Sequence, residues 1–341
     1  MNFDFDDDQS SFEDMLREFF EKSSPPTVVR DAEPSGFDAD LWARTAELGI
    51  TSVALPEDRG GSGFGLVELA IAAEHAGRWV APVPVVEATT ATSLLAALPS
   101  SPEVDSLLER TTTTPSIATV ALHPAVDGVA HIVPAGSVAE VVIALVGDDL
   151  VAVQTPGGSP QLPNLGSMPI ADVPVAGGTV IASGPAAARA HRQAVDQWKA
   201  LTAVALMGLA QRALEIGVDY VLEREAFGVL IGKFQSIQHH LADDAAAGLG
   251  GRLLAYEAAW ALANSQDNAS ELASMAFLFA SRTAQKTAGD SLHFHGGYGF
   301  TMEYDIQLYL RRAKAWALLA GDPESQYADL TRQHVAAGSE A

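Results

Sequence analysis

The stretch REAFGVLIGKFQSIQHHLAD, residues 224–243, lies between two long runs in which apolar residues recur at three- and four-residue steps. That spacing predicts two helices with this stretch as their connection. It places Arg224, Phe227 and Gly228 on the connection and Gln235 near the start of the second helix. An arginine beside an aromatic ring and exposed backbone suits a diphosphate next to a planar ring, although a loop arginine alone is more often solvated or salt-bridged.

A second informative stretch, LHFHGGYGFTMEYDIQLYLRRAK, occupies residues 292–314. It places Gly296, Gly297 and Gly299 at a predicted helix end, where glycine lets another backbone or a ligand approach closely. By itself such a stretch is usually only a turn. With the runs around both stretches, it predicts three long amphipathic helices and a fourth near residues 306–319, which together form a four-helix bundle.

The pattern upstream of the bundle divides into two further parts. Short β-branched runs separated by Pro, Gly and Asp predict an antiparallel β domain, with strands at 117–122, 129–133, 138–145, 150–154 and 168–173. Amphipathic periodicity from about residue 9 to residue 98 predicts helices, and the glycine-rich turn at 59–65 is better explained as a tight connection than as a phosphate site. The expectation is an α+β protein with domains at 1–110, 111–185 and 186–341, and without a Rossmann fingerprint.

Composition excludes several function classes. The 341 residues include 43 acidic and 20 basic side chains, for a net charge of −23, which argues against binding to nucleic acid or to anionic membrane surfaces. The chain has no cysteine, so disulfides, thiolate metal sites and a cysteine nucleophile are excluded, and we expect no metal site. No apolar run approaches the ~20 residues that a membrane span needs, so we expect no membrane span and a cytoplasmic protein.

Together and in this order, the two stretches resemble the acyl-CoA dehydrogenase family. The shared pattern is an Arg-x-x-Phe-Gly loop from Arg224, an Ile-x-x-Phe-Gln segment from Ile231, and a later Gly-Gly-x-Gly from Gly296. The resemblance continues upstream through Leu41-Trp42 and the glycine turn at 60–63, and it is strongest at 37–79 and 198–316. It implies the family's architecture of an N-terminal helical domain, a middle β domain and a C-terminal four-helix bundle.

The resemblance also implies a flavoenzyme that makes a 2-enoyl-CoA from an acyl-CoA, with each FAD shared across a subunit interface. In this reading Arg224 meets the FAD diphosphate, and His293 stands where glutamine is common, so that a structural role for it is equally open. The other residues carried over to the cofactor site are Phe227, Ile231, Phe234, Gln235, Ile237, Gly296 and Gly297. An electron-transfer acceptor is implied as a further partner.

The sequence departs from the family pattern where a glutamate should remove the α-proton of the substrate. Ala320 and Trp198 occupy the family's two base positions, so that no catalytic residue is assigned. Lys199 beside Trp198 would be mostly protonated, and Asp196 and Glu324 are expected to be solvated surface acids. In the β domain, residues 121–128 and 132–136 replace the segments that contact and cover the flavin ring.

These departures favour a subunit of a heteromeric α₂β₂ enzyme, similar to the shorter, base-lacking subunit of actinobacterial steroid-degradation acyl-CoA dehydrogenases. A second subunit would carry the glutamate, while this chain completes that subunit's FAD site, and the acyl group would be bulky, such as a steroid side chain. Two alternatives remain open: an active homo-oligomer that uses another acid, such as Asp196 or Glu324, and a non-catalytic scaffold of the same fold.

Overall fold

In the computed structural model, which describes residues 3–339, the chain begins with six helices. The first is fixed by a capping box, because the Asp6 carboxylate accepts a hydrogen bond from the Gln9 backbone while the Gln9 side chain accepts one from Asp6. Gly49, with a φ of 74°, follows the third helix and ends it. The helices are α1 (Asp7–Ser23), α2 (Pro26–Asp31), α3 (Ala39–Glu47), α4 (Leu66–Arg78), α5 (Val85–Ala97) and α6 (Pro102–Thr113).

Six short strands form the middle region. They are β1 (Ala118–Val120), β2 (Val129–Val133), β3 (Val141–Val146), β4 (Asp149–Gln154), β5 (Ala171–Pro174) and β6 (Thr179–Ser183). One sheet has the order β1-β3-β4-β6, and β2 pairs with β5 in a second. The pairings β2–β5, β3–β4 and β4–β6 are antiparallel as predicted. The prediction was wrong for β1 and β3, which pair in parallel because the chain crosses to the other sheet between them. Sequence analysis also missed β6, an edge strand.

The predicted four-helix bundle is confirmed. Its helices are α7 (Gly184–Glu223), α8 (Gln235–Ala263), α9 (Ala269–Phe294) and α10 (Ile306–Trp316). A hairpin of β7 (Glu225–Ala226) and β8 (Val229–Leu230) connects α7 to α8, and a final helix, α11 (Pro323–Ser339), was not predicted. One apolar core runs through the N-terminal helices, the sheets and the bundle.

Two glycines allow α4 and α7 to lie very close together. A Cβ atom added at Gly77 would lie 2.0 Å from the carbonyl oxygen of Ala205, and one added at Gly208 would lie 2.1 Å from that of Glu74. Both distances are far below any van der Waals contact, so each position excludes a side chain. The N-terminal helical domain is therefore fixed to the bundle by direct backbone contact.

Helix α6 continues to Thr113 and α7 begins at Gly184, so both helices cross the domain boundaries expected at 110 and 186. Residues 1–2 and 340–341, which belong to the first and last predicted domains, lie outside the described residues.

Within residues 3–339, α7 is long and apolar enough to cross a membrane by length and composition alone, which the sequence analysis overlooked. However, 72% of its apolar 18-residue stretch is buried as the core of the bundle.

Candidate functional site

The two informative stretches meet at the end of the bundle where α7 stops. Ile231, Phe234 and Ile237 pack in one small apolar cluster with Val221 of α7 and Phe294 of α9. Gln235 is the first residue of α8, as predicted, and its side chain is exposed. The bundle thus brings the Arg-x-x-Phe-Gly loop and the glycine segment to one end of the molecule.

The polar and aromatic groups at this end are presented outward. The Arg224 side chain is exposed and has no ion-pair or hydrogen-bond partner within residues 3–339; its backbone N–H donates to Tyr220 and its carbonyl accepts from Ile231. Phe227 is 97% exposed at the tip of the β7–β8 hairpin, with a φ of 53° that is uncommon for a non-glycine residue. The hairpin therefore leaves an aromatic ring and a cation uncovered side by side, where a ligand or another subunit can reach them.

The glycine segment forms the other side of this surface. Residues 296–300 make a single 3₁₀ helix after α9, and Gly296 has a φ of 60°. A Cβ atom added at Gly296 or Gly297 would contact nothing within 4 Å, so this backbone is open to a ligand. His293 is exposed on the last turn of α9, whereas the next histidine, His295, is buried and stacks on Tyr220 with ring centroids 4.0 Å apart.

The two positions at which the resemblance predicts a base lie elsewhere, around a partly open cavity. Trp198 is 1% exposed on α7, and its indole N–H donates to a carboxylate oxygen of Glu87 at 3.4 Å. Ala320 directly follows Leu319, whose carbonyl oxygen lies 3.3 Å from Nε2 of His123 in the β1–β2 connection. Trp198 and Leu319 both line the cavity, which encloses about 60 Å³.

The cavity walls are mostly apolar. They come from the α4–α5 connection, from Pro134 and Ala135, from residues 168–170, and from α7 and α10. Pro134 and Ala135, which belong to the stretch expected to replace the family's flavin-covering segment, thus line this cavity. Its two charged residues are Glu87 of α5 and Arg312 of α10.

Glu87 is a carboxyl group that the sequence reasoning missed. It is half-buried, and burial raises the pKa of the Glu87 carboxyl, partly opposed by hydrogen bonds from its own backbone and from Trp198. No spacing or motif singles it out, because it meets Trp198 only after α5 packs against α7. Its only signal in the sequence is a position in the first turn of an apolar helix that follows Pro82 and Pro84.

The acids considered from sequence lie outside the cavity. Asp196 is half-buried rather than solvated as expected, and it lines a separate pocket with Ser93 and Gln197. Burial raises the pKa of Asp196, with Ser270 opposing the change. Glu324 is exposed, as expected, in the first turn of α11. Within residues 3–339, no group of three or more His, Asp or Glu side chains is arranged to hold a metal.

Comparison with known proteins identifies the architecture. The acyl-CoA dehydrogenase N-terminal domain matches residues 6–100, and the acyl-CoA dehydrogenase C-terminal domain matches residues 188–334. Acyl-CoA dehydrogenase IpdE2 of Mycolicibacterium smegmatis is 30% identical over 324 residues, covering 92% of this chain and 96% of the relative.

Solved structures share this fold over nearly the whole chain. The Tcur3481-Tcur3483 steroid ACAD is 26% identical, with a TM-score of 0.88 over 98% of this chain and 99% of the matched one. A chain of the ChsE4-ChsE5 complex from Mycobacterium tuberculosis, at 24% identity and a TM-score of 0.85, shares the fold over 98% of this chain and 99% of its own.

Proposed function

The chain belongs to the acyl-CoA dehydrogenase family, whose members are FAD-dependent oxidoreductases acting on the CH–CH bond of acyl-CoA, and we propose that it is the flavin-completing subunit of a heteromeric enzyme. The observation that carries this proposal is an asymmetry. The chain presents Arg224, Phe227 and Gln235 of the predicted half-site outward, yet has alanine and tryptophan at positions 320 and 198.

The residues at the bundle end fit one half of an FAD. Arg224 supplies an unpaired guanidinium for the diphosphate, and Gly297 leaves the backbone open for the adenosine side. Ile231, Phe234 and Ile237 give an apolar floor, and Gln235 offers an amide at the start of α8. FAD, when bound, accepts the hydride that leaves the β-carbon of the acyl group. The partner subunit would contribute the glutamate and the contacts to the flavin ring.

Because the chain has a net charge of −23, the cations at the proposed site matter more for binding an anion. FAD and CoA are anions that an acidic protein repels, so their binding depends on the cations placed at the site. Most arginines of the chain are already paired with carboxylates, for example Arg78 with Glu215 and Arg252 with Glu74. Arg224 has no such partner within residues 3–339 and so remains available to an anion.

The acyl group of the proposed complex is a bulky steroid-derived one. This part of the proposal is supported by the similarity to the steroid ACAD named above, at 26% identity. Because this chain does not form a catalytic site of its own in the proposed complex, space remains for the partner's site to accommodate such a group. An electron-transfer acceptor would reoxidise the reduced flavin.

One observation favours a second candidate, an active homo-oligomer with an unusual base. Glu87 places a carboxyl group with a raised pKa beside Trp198, the residue at one of the two base positions. Neither Asp196 nor Glu324 lines that cavity, so Glu87 replaces them as the acid to test. The third reading, a non-catalytic scaffold, leaves the exposed Arg224 without a role.

Visible absorption spectra of the chain purified alone and co-purified with a candidate partner test the proposal. We expect no flavin band from the lone chain, a flavin band from the complex, and acyl-CoA oxidation only by the complex. Arg224→Ala should remove the flavin from the complex, whereas Arg189→Ala, an exposed arginine near the other end of α7, should not.

The outcomes separate the three readings. Stoichiometric FAD on the lone chain contradicts the proposal, and activity of the lone chain that Glu87→Gln abolishes establishes the second candidate. Full flavin occupancy of an Arg224→Ala complex supports the scaffold instead.

A further inference from the structure

Arg312 is a buried cation without an anionic partner. Its side chain is 6% exposed, and its described hydrogen bond runs from Nη1 to the carbonyl oxygen of Ser167 at 3.2 Å. No carboxylate within residues 3–339 lies in ion-pair distance of it; Glu33, which acts on it from further away, is paired with Arg311. Buried arginines are normally paired, since an isolated buried charge costs several kcal/mol.

Arg311, the residue next to Arg312, has the anionic partner that Arg312 lacks. Arg311 pairs with Glu33 and donates from Nε to the Gln307 side chain at 2.7 Å, whereas Arg312, one position on, turns into the cavity. Burial lowers the pKa of Arg312 to about 10, which still leaves the guanidinium charged at neutral pH. The cavity therefore carries a fixed positive charge in apolar walls.

A purely structural role accounts for only part of this arrangement. The bond to Ser167 ties α10 to the loop at 165–169, and Gly36 lies against the same carbonyl oxygen, where an added Cβ would come within 2.2 Å. A guanidinium, however, has five N–H donors in a planar fork. Glu87, the other charged residue of the cavity, forms no ion pair with Arg312, so it does not supply the missing counter-charge.

We propose that this cavity binds an organic anion through a carboxylate group that pairs with Arg312. A guanidinium fork matches a carboxylate in two parallel hydrogen bonds, and the apolar walls favour an anion with a hydrocarbon part over an inorganic one. The carboxylate comes either from a free small organic acid or from the far end of an acyl group that carries a second acid function. Both sources share the chemistry that Arg312 recognises.

The free-acid form of the proposal is independent of the FAD half-site, and only the acyl form rests on the proposed function. The measurement therefore uses the full-length chain without FAD or partner. Absence of flavin binding would leave the carboxylate result intact, and absence of carboxylate binding would leave the FAD proposal intact.

Calorimetric titration with butyrate, its uncharged analogue butanamide, and inorganic phosphate tests the site. We expect saturable one-to-one binding of butyrate and at least tenfold weaker binding of the other two ligands. Titration of butyryl-CoA against glutaryl-CoA, which differ by a terminal carboxylate, then identifies the source. Preference for glutaryl-CoA indicates the acyl end, and equal binding beside saturable butyrate indicates a free acid.

Variants locate the site. Arg312→Met should abolish binding of the carboxylate, and Arg312→Lys should weaken it because the fork is lost. Lys314→Met is the matched control, an exposed cation on the same helix, and it should bind as the wild type does. Thermal melts establish that each variant is folded.

Three results overturn the proposal. These are equal binding of butyrate and butanamide, binding of phosphate as tight as that of butyrate, and an equal loss in the Lys314 and Arg312 variants. Wild-type protein that binds neither butyrate nor glutaryl-CoA in preference to its control overturns it without any variant.

Discussion

The indole nitrogen of Trp198 lies 3.4 Å from a carboxylate oxygen of Glu87, joining α7 to α5 across the partly open cavity. The ring stands at one of the two positions where the resemblance to the family predicts a base, and Glu87 brings a carboxyl group beside it from a neighbouring helix. The carboxyl is half-buried and has a raised pKa because burial disfavours its charged form.

We expect Glu87→Gln to stabilise the lone chain at neutral pH. A carboxyl whose pKa is raised in the folded state favours folding below its unfolded pKa, near 4.5, and that contribution is lost as pH rises through the folded value. Urea unfolding at pH 7 should give a higher free energy of unfolding for the variant than for the wild type. At pH 4.5 the difference between the two should become smaller. Glu109→Gln, at an exposed site on α6, should show no such trend; a less stable Glu87→Gln protein at pH 7 would contradict this reading.

The backbone contact between α4 and α7 predicts a severe effect of one methyl group. Gly77→Ala puts a Cβ 2.0 Å from the Ala205 carbonyl oxygen, so the helices must separate, at a cost of about 2–4 kcal/mol of unfolding free energy. Gly250→Ala on α8, where an added Cβ meets nothing within 4 Å, should instead stabilise the protein by about 0.5–1 kcal/mol. Equal melting temperatures for the two variants would refute the close packing.

His75 predicts acid sensitivity. It is buried on α4 near Glu13, Glu74 and Arg78, and burial lowers the pKa of His75 to about 4. A histidine with a depressed pKa favours folding above its unfolded value of 6.5, and this contribution is lost as pH falls from about 6.5 to 4. The loss should reach roughly 2–3 kcal/mol.

Urea midpoints between pH 7 and pH 4 measure this loss. His75→Gln should remove most of the pH dependence in that window, although it lowers stability at pH 7. His239→Gln, at an exposed site on α8, should keep the wild-type dependence. A wild-type midpoint that stays constant from pH 7 to pH 4 would show that His75 does not act in this way.

We expect a substitution at Phe227 to weaken association with the partner subunit without destabilising the lone chain. At 97% exposure the ring contributes nothing to the chain's own core, so Phe227→Ser should change unfolding by no more than about 0.5 kcal/mol. Exposed aromatic anchors commonly contribute 2 kcal/mol or more to association, so we expect at least tenfold weaker binding to the partner subunit. Phe64→Ser, at a partly exposed ring before α4, is the control, and equal affinities for the two variants would remove Phe227 from the interface.

Local periodicity was sufficient to predict the bundle and the position of Gln235 at the start of α8, because helices and turns depend on residues that are close together in the sequence. It was insufficient for β6, whose exposed edge position lacks alternation, and for the parallel β1–β3 pair, which depends on a crossover. Asp196 lies in a pocket that the α8–α9 turn completes. Glu87 and Arg312 come together only through tertiary packing of α5 and α10, which no local pattern records.

Strand β6 ends at Ser183 and α7 begins at Gly184, so the sheet runs into the core helix without a linker. Gly184, with a φ of 66°, is the single bend between them. The 40 residues of α7 form a rod of about 60 Å that ends at the hairpin carrying Phe227. One continuous helix therefore sets the distance between the hairpin and the edge of the sheet.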